Sequence, residues 1–400
     1  MINIIKEKED GLNHIKALAF DRSASSIGET EAITYIENEL SSHGINSKRD
    51  YFTWTSTIAI LLRLGYLLVL INLIMLRQIL IIILFFFSKN LFQKTRKLSL
   101  IPKENSKNLL TFINSKKKEN EKPLMIFTAH YDSVSAIISY KYQKIIFMFY
   151  KIVTAIYVGV ILFFLFDFFF GFIDPLENFQ IFLFVNITLS ILAIFITGPL
   201  LIIVLKEIPS SGSIDNASGV AVLIELAKHF SINPPKNIDI LFLWTGAEEG
   251  GLRGSKHFCE KYYDQLKEKY DLNRSYLINI DMVGSYIGLI RKTGLFQIKI
   301  NKNLNQIINH SAQKLNIKIK NYSKLLNPDS DHRSFKKFVR KTKKNFQISF
   351  IHSDEDSKFI HSSQDTPDKC SSEIINDCIK VCFQTVKAID HQLDIKKELI

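Results

Sequence analysis

Apolar positions recur at helical spacing through residues 29–43, where Ile33, Ile36 and Leu40 share one face and Gly44 ends the run. A helix is predicted there. Two short pieces near Leu109–Ile113 and Leu124–Ala129 read as strands. Over Val220–Phe230 the residues Val220, Leu223, Ala227 and Phe230 fall on one side of a predicted helix. Ile238–Trp244 is an unbroken apolar run, the pattern of a parallel strand covered on both faces. Leu277–Ile280 is a further short strand, and a closing helix is predicted over about Ser372–Leu393. Its stripe carries Ile375, Cys378, Ile379, Cys382 and Val386. Beyond Lys206 the alternation of helix and strand predicts an α/β fold.

Two segments depart from this pattern. Ser56–Phe87 is almost entirely apolar, broken by Arg63 and Arg77, and a basic linker with Lys94, Arg96 and Lys97 follows. Ile145–Val204 is the second, split at Asp174-Pro175-Leu176-Glu177. Its later half, Phe179–Val204, runs 26 residues without a charge, which is long enough to span a bilayer. Its earlier half, Ile145–Ile173, carries Lys151 and Asp167 near its ends, where a long or polar side chain is cheapest to place. Soluble helices of this length keep a polar face, so transmembrane helices are expected.

Composition agrees. The chain of 400 residues is 47% hydrophobic, too apolar for a disordered protein, and holds 31 Phe. Its net charge of +12 suits a nucleic acid or an anionic membrane surface. The apolar runs favour the membrane and no nucleic-acid module is visible, so the expected partner is a lipid bilayer and no nucleic acid. Four Cys are too few for a disulfide scaffold. Cys378 and Cys382, four apart, could bind a metal, but they share an apolar stripe and read as core residues. The N-terminal MINIIKEKED places charges where a secretory signal needs an apolar core.

Three predicted strands end in metal-type ligands. His130 and Asp132 follow the strand ending at Ala129, Glu248 and Glu249 follow the one ending at Trp244, and Asp281 follows Ile280. In open α/β sheets ligands gather beyond the carboxyl ends of the strands. Asp215 and His361 each lie just before a predicted helix, where a single Asp is ordinarily a cap. As a set, His130, Asp215, Glu249, Asp281 and His361 offer two imidazoles and three carboxylates, which suits a pair of zinc ions with one bridging carboxylate. Two such ions, roughly 3.5–4 Å apart, could share a water acidic enough to attack at neutral pH. Glu248, adjacent to a ligand and not needed as one, is free to take its proton.

The sequences His130-Tyr-Asp132-Ser, Asp215-Asn-Ala-Ser-Gly219, Gly246-Ala-Glu-Glu-Gly-Gly-Leu-Arg-Gly-Ser255, Ile280-Asp281-Met-Val-Gly284, Ser330-Asp-His-Arg-Ser-Phe335 and His361-x-x-x-Asp365-Thr366 occur in this order. In that order they resemble the M28 family of zinc peptidases, whose known members are mostly di-zinc aminopeptidases. The resemblance covers about 1–56, 98–143 and 206–400. It implies a mixed, mostly parallel sheet flanked by helices, of the zinc-exopeptidase type. It implies that His130 and Asp281 serve one zinc, Glu249 and His361 the other, with Asp215 as bridge. Glu248 resembles the general base, and Asp132 the acid that holds His130 in its ligating tautomer. Asp331 and His332 match a further motif near the site. The family often has Tyr before the last ligand, where this chain has Ile360, so oxyanion stabilisation would come mainly from zinc, or Tyr131 or Tyr322 would substitute.

The expected organisation is therefore a discontinuous peptidase domain over 1–56, 98–143 and 206–400. It is interrupted by an apolar insertion at 57–97, a hairpin or an interfacial helix, and by a transmembrane helical hairpin at 144–205. Lys141, Lys144, Lys151 and Lys206 flank the hairpin on the peptidase side, while Asp167, Asp174 and Glu177 lie toward its tip. The positive-inside rule then places the peptidase on the cytoplasmic face of a multi-pass membrane protein. The expected function is a membrane-anchored di-zinc exopeptidase, an aminopeptidase acting on peptides, with a carboxypeptidase also open. The alternatives are a non-catalytic membrane receptor or assembly protein on the same fold, and a glutaminyl-cyclase-like zinc transferase. The oligomeric state is not legible.

Overall fold

The computed structural model describes residues 10–55, 103–117, 121–134, 210–294, 298–299, 301–324 and 329–398, with scattered positions between 145 and 195. The apolar insertion at 57–97 lies outside the described residues, and so does much of 144–205. The chain divides into two units. The first comprises Met1–Trp54, Asn105–Ser135 and Pro209–Ile400, and the second Thr55–Glu104 and Ala136–Ile208.

In the first unit the apolar runs form the middle of one sheet. β1 (Lys48–Trp54), β2 (Glu104–Ile113), β3 (Leu124–His130), β4 (Asp239–Thr245), β5 (Tyr276–Ile280), β6 (Ile287–Thr293), β7 (Ile298–Lys299), β8 (Ile319–Lys324) and β9 (Gln347–Ile351) are its strands. Their order is β1-β2-β4-β3-β5-β9-β6-β7, with β8 paired to β6. The central four, β4-β3-β5-β9, are parallel, whereas β2 meets β4 and β6 meets β9 antiparallel. Every residue of β3, β4 and β5 is buried, which explains why they read as continuous apolar runs. The sheet is mixed and parallel at its centre, as expected.

Among the described residues eight α-helices belong to this unit: α1 (Asp10–Ala17), α2 (Ile27–Ser41), α3 (Ser218–Ile232), α4 (Arg253–Lys261), α5 (Tyr263–Lys269), α6 (Lys302–Lys314), α7 (His332–Thr342) and α8 (Ser372–Glu398). Ser26 caps α2 by accepting from the Glu29 backbone N–H. Ala32, Ile33, Ile36 and Leu40 form its buried face. In α8, Cys378 and Cys382 are free and buried beside Ile375, Ile379 and Val386, as core residues.

In the second unit the described residues between 145 and 170 are helical. Gly171 stops them with a left-handed φ of +63°. Asp167 is buried, its carbonyl accepting from Gly171 N–H at 2.7 Å and its carboxylate from Phe172 N–H at 3.1 Å. The described residues from Glu177 to Phe195 are again helical. Phe169, Phe172, Phe184 and Phe195 are more than 70% exposed. Among the described residues no helix is long and apolar enough to cross a membrane.

Candidate metal centre

Because β4, β3 and β5 run parallel, their carboxyl ends deliver side chains to one edge. His130 is the last residue of β3, opposite Thr245, the last of β4. Glu248 and Glu249 lie in the turn that follows. The register of β3 against β5 pairs Thr128 with Asn279, which sets His130 beside Asp281 two residues on. The other two ligands arrive on irregular segments: Asp215 in the turn Ser213–Ala217 that leads into α3, and His361 after the helical turn Asp354–Lys358.

These five side chains converge into two groups that share one carboxylate. His130, Asp215 and Asp281 form the first, and Asp215, Glu249 and His361 the second, with the ligand atoms of each within 4.8 Å of one another. His130 Nε2 lies 3.0 Å from Asp215 Oδ1 and 3.6 Å from Asp281 Oδ1. His361 Nε2 lies 3.2 Å from Asp215 Oδ2 and 3.0 Å from Glu249 Oε1. Asp215 thus presents one oxygen to each group. Glu249 Oε1 is buried, and among the described residues no well-aligned donor satisfies it besides the close approach of His361 Nε2. A set of imidazole nitrogens and carboxylate oxygens facing one another, one of them so poorly satisfied, fits a pair of zinc ions.

The supporting residues fix these loops by their backbones. His130 Nδ1 lies 3.0 Å from the Asp132 carbonyl, so it is this carbonyl, more closely than the carboxylate at 3.7 Å, that orients the ring. The Asp132 carboxylate instead accepts from the backbone N–H groups of Glu248 and Glu249 at 3.0 and 3.1 Å. Asp365 does the same on the other side, accepting from Ile214 N–H at 2.6 Å and Asp215 N–H at 3.3 Å. Asn216 joins the Asp215 turn to the end of β5: its Nδ2 donates to Ile280 O at 2.9 Å and its Oδ1 accepts from Met282 N–H at 3.1 Å. Gly219 permits this close approach, since a Cβ there would lie 2.6 Å from Ile280 O.

The charges push against one another. Burial lowers the His361 pKa, but Glu249 and Asp215 override it and push it up to about 10. His130, also buried, is raised in the same way by Glu248, Asp132, Asp215 and Asp281. Burial raises Glu248, reinforced by the carboxylates of Glu249, Asp331 and Asp281 and opposed by His130. Crowded carboxylates and strongly proton-holding imidazoles mark a place built for positive charge.

Three expectations change in detail. Tyr131 donates its hydroxyl to Lys107 O at 2.7 Å, and Tyr322 donates to His352 O at 2.6 Å, so neither hydroxyl proton is free for an oxyanion. Asp331 is wholly buried and accepts from Thr245 Oγ1, while the His332 ring stacks on Phe350 at 4.4 Å. This motif braces the ends of β4 and β9 from behind. Sequence reasoning did not anticipate the roles of Asn216 and Asp365, although both lie within the quoted motifs. Buried Arg22 carried no signal at all.

A mixed sheet that gathers two histidines and three carboxylates, one of them shared, beyond its parallel strands has the layout that the motifs imply. Residues 197–386 match the model of peptidase family M28, the family that the motifs resemble. His130 lies outside the matched stretch and joins the set by geometry. Among curated proteins, the chain is 44% identical over 77 residues to "Aminopeptidase YwaD" of Bacillus subtilis, covering 19% of this chain and 16% of that protein. It is 39% identical over 74 residues to a "Probable zinc metalloprotease" of Pyrenophora tritici-repentis, covering 18% of this chain and 16% of that one. The chain thus spans about a sixth of the length of these relatives. Among solved structures it is similar to an aminopeptidase from Aneurinibacillus sp. strain AM-1, with a TM-score of 0.56, 15% identity and coverage of 95% and 93% of the two chains. It is equally similar to the glutaminyl cyclase of Fimbriiglobus ruber, with a TM-score of 0.56, 13% identity and 96% of each chain covered. Both show the fold alone.

Proposed function

We propose that this chain is a membrane-anchored di-zinc exopeptidase, an aminopeptidase that removes N-terminal residues from peptides. The observation that carries the reading is Asp215, whose two oxygens face different histidines and so suit a bridge between two ions. His130 and Asp281 would hold one zinc, and Glu249 and His361 the other. When bound, zinc supplies Lewis-acid polarisation of the scissile carbonyl and acidifies water.

The chain's own residues supply the rest. Glu248, held by its backbone to Asp132, is raised by burial and by neighbouring carboxylates, which makes it a stronger base than a solvated Glu. It would take the proton of the attacking water and return it to the leaving amine. Asp132 positions Glu248 and Glu249 as a unit through their adjacent N–H groups. The surroundings of Glu248 and Glu249 argue for these separate roles: Glu249 faces His361, while Glu248 is not part of either ligand group.

The membrane reading rests on the uncharged length of Phe179–Val204 and on the exposed aromatic residues described between 166 and 195. It makes the lipid bilayer a partner and the domain division a consequence of insertion. A cyclase reading is kept by the fold likeness, and the acidic pair Glu248–Glu249 with the shared Asp215 favours the hydrolase. Elemental analysis of detergent-purified protein, followed by assays on free and N-blocked peptides, tests the proposal. About two zinc ions per chain and cleavage only of the free peptides are expected. One ion after saturation, with cyclisation of N-terminal Gln, would turn the reading to the transferase.

A further inference from the structure

We propose that Arg22 is a positioning residue of the metal centre, clasping the two points where the chain leaves and re-enters the domain and so holding His130 and Asp215 in one ligand set. The inference rests on the zinc reading above. Arg22 is wholly buried and follows α1, far in sequence from every ligand. Its Nε donates at 2.8 Å to the carbonyl of Tyr131, the residue between His130 and Asp132. Its Nη1 donates to Ser211 O at 2.7 Å and its Nη2 to Gly212 O at 2.9 Å, on the segment entering the Asp215 turn. Nη1 also reaches the carbonyls of Leu18 and Phe20, which ties the guanidinium to its own segment. The main chain joins the same clasp. Arg22 N–H donates to Ser133 Oγ at 2.9 Å, and Ser133 N–H donates to Arg22 O at 3.2 Å.

One residue thereby spans the gap between Ser133, held by the Arg22 main chain, and Ser211, held by the Arg22 side chain, near the two ends of the long apolar insertion. The ends are in contact: a Cβ on Gly212 would meet Ser133 Cβ at 2.6 Å and Arg22 Nη2 at 2.7 Å. A planar fork with five donors serves carbonyls from three segments in a fixed geometry that the single nitrogen of a lysine does not reproduce.

The charge argues for a role beyond packing. Among the described residues Arg22 has no carboxylate at ion-pair distance, and a buried cation without a contacting partner is a poor stabiliser of a fold. The opposing charges that act on it are those of Asp365, Asp132, Asp215 and, less, Asp21. The first three are the bridge itself and the two acids that hold the ligand loops. Arg22 is therefore a fixed cation behind the ligands, oriented by carbonyls on both sides of them.

The test uses the full chain in detergent. Arg22→Lys and Arg22→Met are compared with Lys228→Met, which removes a partly buried cation that pairs with Glu225 and Glu39. Zinc affinity is measured by competition with a chelator, and apoprotein Tm by thermal unfolding. Loss of a group that orients ligands is expected to weaken zinc binding about 10–100-fold in both Arg22 variants. Lys228→Met is expected to lower the apoprotein Tm and leave zinc affinity unchanged. If Arg22→Met does not fold, Arg22→Lys decides. A folded Arg22→Lys protein with wild-type zinc affinity and only a lower Tm would overturn the positioning role while leaving the zinc reading intact. Wild-type protein that binds no zinc would overturn both.

Discussion

Glu248 and Glu249 are adjacent and held through their backbone N–H groups by the same Asp132 carboxylate, yet their surroundings assign them different work. Glu249 faces His361 and Asp215, whereas Glu248 faces His130 from outside both ligand groups. Glu248→Gln is expected to keep both zinc ions and lower kcat by at least about 100-fold, the range of lost general-base catalysis. Glu249→Gln is expected to weaken one of the two ions. Metal analysis beside steady-state kinetics checks both, and a Glu248→Gln enzyme that lost zinc but kept its turnover would reverse the roles. At this scale the sequence told a great deal, because a ligand set is a matter of residue type at strand ends. All five candidate ligands read from it converge. What it could not tell was how the second layer acts. The Asp132 carboxylate was expected to serve His130, and its first duty is instead to the backbone of the Glu248–Glu249 turn. Nothing in residue type distinguishes an Asp that binds a ring from one that binds two amides.

Among the elements, those with a continuous or strictly periodic apolar pattern were legible. The predicted helix over residues 29–43 is α2, the strand Ile238–Trp244 is β4 displaced by one residue, and Ser372–Leu393 lies within α8. Peripheral elements escaped. β1 and β8 lie off the parallel centre of the sheet, and their mixed polar composition gives no period to read. Polar residues inside helices also hide their purpose. Glu225 of α3 is buried, with His14 of α1 at 2.8 Å and Lys228 at 3.0 Å. Burial raises its pKa, but the His14 hydrogen bond and the Lys228 charge outweigh this and hold it down at about 2, against an ordinary 4.5. A depressed carboxylate contributes stability that is full above the unfolded value and is lost as pH falls toward the folded one. The stability difference between wild-type apoprotein and Glu225→Gln is therefore expected to be largest near pH 6. It should shrink by on the order of 2 kcal/mol toward pH 3, as read from denaturant midpoints. A difference independent of pH would mean that Glu225 acts by packing alone.

For the whole molecule, the decisive fact is that His130 precedes the second apolar insertion and Asp215 follows it, yet their side chains meet at 3.0 Å. The chain leaving after Ser133 must return to the place it left. If the insertion enters a bilayer, it crosses an even number of times, which a helical hairpin with its tip near Pro175 satisfies. Nearly all its side chains are apolar, and helices satisfy their own backbone groups, so the cost of insertion is low. The same argument applies to the first insertion: the hydroxyl of Tyr131, the residue after β3, lies 3.3 Å from the carboxylate of Glu29 in α2 across it. Asn114→Cys and Asn233→Cys, both at exposed positions of the first unit, are therefore expected to lie on one membrane face and Pro175→Cys on the other. An impermeant thiol reagent applied to sealed vesicles reads the result. The four native Cys include none that is exposed, so the parent protein should stay unlabelled. The basic flanks Lys141, Lys144 and Lys206 further predict that Asn114 and Asn233 face the cytoplasmic side. Opposite accessibility of Asn114→Cys and Asn233→Cys would be incompatible with a shared metal site in the inserted protein. Protection of Pro175→Cys from both sides would instead mean that the insertion packs against protein, and the membrane reading would fall while the metal centre stood.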